Sequence, residues 1–433
     1  MGSDLKKKLG LLGLTTSGVG LILGAGIYAI IGQAAGLAGP QLWLSFLIGA
    51  IISSFTGLTY AELATAIPMA AAEYNYFQQA FRNKLGAFLV GWTIIITESF
   101  ASATVALSFA GYIQGFLDAP LVPVAVLLIV ALSIVNYYGI EFSSRLNIVF
   151  TAIEAAGLLL IIYLGLPFLG SVDYLSSPTG YTGILQGSAL IFFAYIGFED
   201  IANLAEETSR PDKIVPRAFI LSIAVTAILY VLVAISTVSL LDWRELSMST
   251  SPLADAAAQS LGDSAFVLLS AIALFATSNT VLILLIVCSR TIYGMAREGR
   301  MPRPLSKVSK TGSPTLAVVL SLTLASLFAL LENLGLVAEV TNLGTFITFV
   351  SVNLSAIWLR IKKPDMDRPF KTPFSIGNVP LIPLLGLLSS TLLITQLSIR
   401  SIIYGALSLL LGLLFYWFCK TPLARRLQCG IEK

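Results

Sequence analysis

Apolar runs of roughly 18 to 27 residues, long enough to cross about 30 Å of hydrocarbon as helices, recur from one end of this chain to the other. Runs of that length leave no soluble domain between them. In lipid every backbone polar group must find its partner inside the protein, so the expected fold class is an all-α polytopic membrane protein forming one transmembrane domain over 1–433. The predicted spans cover 11–36, 41–67, 86–117, 120–138, 146–169 and 184–205. Six more cover 216–241, 262–289, 315–333, 336–359, 379–397 and 401–419, about twelve in all, with the eighth helix continuing beyond the membrane.

Charge placement orients the threading. With the N-terminus in the cytoplasm, Lys6 to Lys8, Arg82, Lys84, Arg145, Arg210, Lys213 and Arg217 fall inside, as do the basic loops 297–310 and 360–371 and the tail from Lys420 to Lys433. Of the 26 Lys and Arg residues only Arg244 and Arg400 fall outside, which leaves 24 that obey the positive-inside rule, Arg290 being counted as cytoplasmic. An odd number of spans breaks this pattern. The expected location is therefore the cell membrane, multi-pass, with both termini cytoplasmic. The first span is too long, and its flank too lacking in a small-residue cleavage site, for a removed signal peptide.

Several function classes drop out. The chain has no histidine, so a HExxH metal site and a histidine general base are both unavailable, and three scattered cysteines cannot build a zinc cage. No metal and no cofactor is expected. Cys288, Cys419 and Cys429 lie in or on the cytoplasmic side of the threading, which argues against an extracellular disulfide framework, and Cys288 reads as a small apolar core residue. A net charge of +3 reflects cytoplasmic loops and gives no reason to invoke nucleic acid. No nucleophile-base constellation for an enzyme is visible, and a channel lacks its continuous polar stripe.

Two spans carry interruptions, the first at Gly18-Val19-Gly20-Leu21-Ile22-Leu23-Gly24-Ala25-Gly26 and the sixth at Phe192-Phe193-Ala194-Tyr195-Ile196-Gly197-Phe198-Glu199-Asp200. Glycine costs about 1 kcal/mol relative to alanine inside a helix and lets the backbone approach a ligand. Unwound backbone at membrane depth survives only where it lines a cavity. One such segment alone reads as helix packing. Two of them, opening corresponding spans of two five-helix blocks (11–169 and 184–361), predict a 5+5 inverted repeat, with 379–419 as two additional helices. Half-helix N-termini there bind anionic groups and freed carbonyls bind cations, and a zwitterionic amino acid needs both.

Four segments carry a family resemblance: GAGIYAIIG at 24–32, LTYAELATAIPMAAAEYNYFQQAF at 58–81, FFAYIGFEDIANLAEETSRPDKIVPRAF at 192–219 and SRTIYGMAREGRMP at 289–302. Over nearly its whole length the sequence resembles the amino acid-polyamine-organocation superfamily of permeases. The resemblance implies the fold of sodium-coupled neurotransmitter-type transporters, with broken helices 1 and 6. It also implies alternating access, in which spans 1, 2, 6 and 7 rock against spans 3, 4, 8 and 9.

By the same resemblance the substrate carboxylate meets backbone amides around Gly24, Ala25 and Gly26. The α-amino group meets carbonyls near Ile22, Phe193 and Ile196, with Ala194 in the same unwound segment. Phe193 takes the place of an aromatic gate over the substrate. Glu199 takes that of a glutamate that couples substrate occupancy to gating or proton binding, the alternative being a structural helix cap, a role that Asp200 beside it also suits.

Glu98, Glu154 and Glu199 fall inside apolar spans, where insertion scales charge roughly 2.5 to 3.5 kcal/mol for an acidic group near the centre. Glu154 stands where many relatives carry lysine. Aligning the spans brings it toward Gly20 and toward Thr277, Ser278 and Asn279 of the eighth span. It then serves either as a proton carrier that bonds the Gly20 carbonyl when neutral or as a sodium ligand. The proton is favoured, because sodium needs several further preorganised oxygens. Glu98 has no motif, and the alternative to a function is a hydrogen bond to Ser99 or Ser102. Glu62, Glu206, Glu207, Arg210, Arg217, Arg290, Arg297 and Arg300 fall at cytoplasmic span ends, where they either pair across the inner mouth as a gate or, for most of them, read as solvated charges, and 70–81 reads as an interfacial helix with Tyr74 and Tyr76 at headgroup depth.

The expected function is a secondary active amino acid transporter, with proton-coupled symport of neutral amino acids ahead of exchange, and a transport-inactive amino acid sensor as the other class. The expected partners are the amino acid, the coupling proton or sodium, and the lipid bilayer.

Overall fold

The computed structural model describes residues 9–67, 72–138, 144–176, 178–309 and 313–421, and leaves out the side chains of 144–149, 203, 206 and 207. The expectations for Lys6 to Lys8, Arg145, Glu206, Glu207, Cys429 and the tail beyond 421 lie outside these described residues and side chains.

The described chain is almost wholly helical: α1 (Leu11–Ile22), α2 (Gly26–Ala38), α3 (Leu42–Ala66), α4 (Ala72–Phe81), α5 (Lys84–Gln114), α6 (Leu121–Tyr137), α7 (Ser144–Gly165) and α8 (Gly180–Ile191). The remainder are α9 (Pro211–Leu240), α10 (Trp243–Met248), α11 (Pro252–Leu261), α12 (Asp263–Arg297), α13 (Thr315–Ala329), α14 (Leu334–Lys362), α15 (Leu381–Ile394) and α16 (Ile399–Lys420). Among the described residues seven helical stretches are long and apolar enough to cross a membrane, and α1, α6, α13 and α15 are shorter apolar helices. The longest stretch, Gly26–Ala66, is two helices: Gly39 at φ +62° turns the chain between α2 and α3. The molecule is an all-α polytopic membrane protein.

Local chemistry sets several boundaries. The Asn83 side chain accepts from the N–H groups of Leu85 and Gly86 at 3.0 and 3.2 Å and starts α5, and Asn333 does the same for Leu336 at the start of α14. Pro211 and Pro252 occupy the first turns of α9 and α11, where their missing N–H costs nothing. The short helices α10 and α11 lie where hydropathy predicts only a loop. Their start signals are local, Asp242 accepting from the Arg244 N–H at 2.8 Å and the proline of α11, and neither helix is long enough to register as a span.

Spans one and six are both interrupted. Residues Leu23 to Ala25 separate α1 from α2. Beyond α8 the chain continues as a 3-10 turn (Phe192–Tyr195), then Ile196 and Gly197, then a 3-10 helix over Phe198–Glu207. Helix α1 packs on α9 and on the 198–207 segment, and α2 packs on α8 and α10. Helix α3 also lies along α9, and on the other side α5 runs against α12, α13 and α14. The cavity described below sits between these two groups.

Two expectations about span ends need correction. Glu62, at the end of α3, is not solvated: it is 1% exposed, and its carboxylate accepts from Arg360 of α14 and from both the N–H and the hydroxyl of Thr372 at 2.8 and 2.9 Å. Arg368 approaches it at 3.6 Å and donates to the carbonyls of Leu359, Lys363, Pro364 and Met366. A buried carboxylate requires such partners. Tyr76 of α4 likewise does not lie at headgroup depth. It is 1% exposed and meets Tyr60 of α3 edge-on, because α4 folds under α14 and α5.

Candidate functional site

The two breaks lie against each other, and glycine makes this possible. A Cβ on Gly26 would stand 2.7 Å from the Ala194 Cα, and one on Gly197 would run into the Leu21 carbonyl. Gly197 also has φ +113°, which a side chain rarely tolerates. The Tyr230 hydroxyl of α9 lies between the two breaks, 3.0 Å from the Ile22 carbonyl and 3.1 Å from the Ala194 carbonyl. Tyr230 is fully buried and packs edge-on against Phe46 and Tyr195.

The polar groups released here are main-chain. The N–H groups of Gly26, Ile27 and Tyr28 begin α2 with no backbone acceptor among the described residues; the first to find one is Ala29, which bonds the Ala25 carbonyl at 2.9 Å. The Ala25 N–H is engaged differently, donating to the Thr280 hydroxyl of α12 at 3.0 Å. Across the gap Ile196, with ψ 138°, ends the 3-10 turn.

Of these residues Gly26, Thr280 and Ile196 line a cavity of about 880 Å³. Ile22, Gly24, Gly26, Phe193, Ala194, Ile196, Glu199, Gly20, Glu154 and Asn279 all reach its wall. Two residues expected there do not. Ala25 is fully buried behind its bond to Thr280, and Ser278 turns to the far side of α12 and donates to the Leu274 carbonyl at 2.7 Å. The helical period explains the second case, since the face of α12 in the cavity runs through Asn279, Thr280, Ile283, Val287, Arg290, Gly294 and Glu298. From Asn279 to Glu298 this face extends about 28 Å. Arg290 and Glu298 are exposed, so the cavity opens at that end. Tyr28 and Tyr112 are fully buried, with the Tyr112 hydroxyl donating to the Tyr28 carbonyl at 3.1 Å.

Glu98, Glu154, Glu199 and Asp200 all bring carboxyl groups to the cavity around the breaks. Glu154 is 2% exposed and accepts from Asn279 Nδ2 at 3.3 Å, while its main-chain carbonyl accepts from the Tyr28 hydroxyl at 2.7 Å. The Thr277 hydroxyl, like that of Ser278, bonds within its own helix, to the Ala273 carbonyl at 2.7 Å. Of the three α12 residues expected near Glu154, only Asn279 bonds it. Glu199 folds back so that its Oε2 accepts from the Gly197 N–H at 2.9 Å.

Glu98 stands on the α5 face that carries Gly91, Ile94, Ala101 and Val105 into the cavity. Its partners are not Ser99 and Ser102, whose hydroxyls donate to the Ile95 and Glu98 carbonyls, and Glu98 Oε2 meets no partner among the described residues.

Sequence reasoning missed several wall residues. Glu73 of α4 accepts from the Tyr60 hydroxyl at 3.1 Å, and burial pushes its carboxyl above the ordinary range. Tyr74 lines the mouth with the Arg300 guanidinium 5.6 Å above its ring. The signal for Tyr230 is a single hydroxyl in an otherwise apolar stretch of span seven. For Thr280 it is the run Thr277-Ser278-Asn279-Thr280, whose last member shares the phase of Ile283 and Val287.

Residues 9–424 match the sequence profile of the family described as amino acid permease. A branched-chain amino acid permease, BcaP, of Bacillus subtilis (strain 168) is 31% identical over 96% of this chain and 93% of that relative. The methylthioribose transporter of the same organism is 28% identical over 88% of this chain and 87% of its own length. Cationic amino acid transporter 4 of Mus musculus is 32% identical over 84% of this chain and 61% of its own length.

Proposed function

The chain belongs to the amino acid permease family, and on that premise we propose that it is a secondary active transporter that moves neutral amino acids by alternating access. The observation that carries this reading is the polarity of the two breaks. The Gly26 N–H, with no backbone acceptor among the described residues, opens α2 in the same cavity as Ile22 and Ala194, whose carbonyls share the single Tyr230 proton, a pairing that suits a carboxylate and an ammonium on the same carbon. Ala101, Val105, Ile283 and Leu284 give the adjoining wall an apolar character that suits an uncharged side chain.

Twelve spans arranged as a 5+5 inverted repeat are part of the proposal, with 11–169 and 184–361 as the two repeats, 379–419 peripheral and both termini cytoplasmic. In this threading the exposed end of the cavity, ringed by Arg290, Glu298 and Arg300, faces the cytoplasm, and the structure is inward-facing. Phe193, 6% exposed at the break, serves as the lid over the substrate.

The coupling ion we propose is the proton, carried by Glu154 with Glu199 linking the second break. Thr277 and Ser278 have committed their hydroxyls to helix carbonyls, and of the α12 residues expected near Glu154 only Asn279 bonds it among the described residues, which is a poor oxygen set for sodium. Uptake of radiolabelled amino acids into proteoliposomes under an inward proton gradient, an inward sodium gradient, or neither tests the scheme. Proton-driven uptake abolished by a protonophore, and made independent of pH by Glu154→Gln, is expected. Uptake only into vesicles preloaded with amino acid means an exchanger instead, and uptake under no condition means a sensor.

A further inference from the structure

We propose that the Thr280 hydroxyl is a direct ligand of the substrate carboxylate and that it, rather than the Ala25 N–H, completes the anion-binding end of the site. This rests on the amino acid transport reading and deepens it. Thr277, Ser278 and Thr291 of α12 turn their hydroxyls back onto carbonyls of their own helix at 2.7, 2.7 and 2.9 Å. Thr280 breaks that habit. Its oxygen accepts from the Ala25 N–H at 3.0 Å, and its O–H meets no acceptor among the described residues.

A hydroxyl has one proton to give and two lone pairs. With a lone pair held by the Ala25 N–H, the proton is directed away from the break and toward the cavity that Thr280 lines. Gly24 permits this approach, since a Cβ there would stand 3.1 Å from Thr280 Oγ1. The Ala25 N–H polarises the hydroxyl and makes it a stronger donor than a free threonine. One carboxylate oxygen then faces the Gly26 N–H and the other faces Thr280. A carboxamide offers this donor set one acceptor instead of two, so the arrangement selects amino acids over their amides.

The test is uptake by proteoliposomes of the wild type, Thr280→Val and Thr280→Ser. The twenty radiolabelled L-amino acids are the probes, and the best-transported one is then set against its own carboxamide as competitor. Thr280→Val is expected to raise KM about tenfold or more with maximal rate nearly unchanged, while Thr280→Ser stays near wild type and serves as the folding control. The preference for acid over carboxamide is expected to fall about tenfold in Thr280→Val alone.

An unchanged or lowered KM in Thr280→Val overturns the assignment, because the hydroxyl then merely occupies the Ala25 N–H. A raised KM with the acid-to-carboxamide preference intact overturns it too, because Thr280 then only shapes the break. If the wild type transports no amino acid, the transport reading fails, and this assignment with it.

Discussion

The guanidinium of Arg360 meets the Glu62 carboxylate at two points, Nε to Oε1 at 2.7 Å and Nη2 to Oε2 at 2.6 Å, where Glu62 is 1% exposed. The contact ties the end of α3 to the end of α14. With one partner removed, the buried charge left behind costs about 3–5 kcal/mol. Glu62→Gln is therefore expected to lower the melting temperature in detergent by several degrees, and Arg360→Lys to recover little of what Arg360→Ala loses, because lysine cannot make the two-point contact. Wild-type melting in Glu62→Gln would show that the pair contributes no net stability.

Tyr230 has one proton for two carbonyls, those of Ile22 and Ala194. It can serve each break in turn but not both at once. Tyr230→Phe keeps the buried ring and its edge-on packing on Phe46 and removes only the hydroxyl. The expected cost is about 1–3 kcal/mol of stability, with initial uptake reduced roughly tenfold at equal amounts of folded protein. Full uptake by this variant would mean that the breaks are registered by packing alone.

Gly197→Ala is expected to abolish uptake. It forces a side chain to φ +113° and places a methyl group against the Leu21 carbonyl, on top of about 1–3 kcal/mol of backbone strain. Gly294→Ala is the matched control: it also lines the cavity, has ordinary helical backbone, and finds nothing within 4 Å of the added carbon. Equal activity of the two variants would remove the steric argument for the break.

Glu73 provides a pH test outside the spans. Burial raises its carboxyl from 4.5, and the Tyr60 hydroxyl and the local backbone only partly oppose the rise. A folded-state value above the unfolded one means that protonation favours the folded state. This contribution is complete below 4.5 and is lost as pH climbs through the raised value. Glu73→Gln, which can still accept from Tyr60, is expected to flatten that dependence and to melt higher than wild type in alkaline buffer. Parallel melting profiles for the two proteins would rule the effect out.

The breaks were legible because glycine announces them: the segments 18–26 and 192–200 contain the interruptions at 23–25 and 196–197. What sits opposite them was less legible. Helix phase decides whether a side chain of α12 enters the cavity, and a one-residue difference separates Asn279, which bonds Glu154, from Ser278, which faces away. Glu62 reads as a boundary charge because Arg360 lies 298 positions along the chain, and no local pattern announces that pairing. Glu73 reads as interfacial because amphipathicity shows that α4 has two faces without saying that one of them closes over a cavity.

The polar face presented at the breaks is built from peptide N–H and C=O groups that every residue type other than proline supplies. Point mutations can therefore redraw the walls at Ala101, Val105 or Ile283 while those peptide groups persist. In the proposed mode of binding, recognition of what all amino acids share is insulated from mutation, while discrimination among their side chains stays open to it. A lineage built this way can change its diet one wall residue at a time without passing through an inactive ancestor.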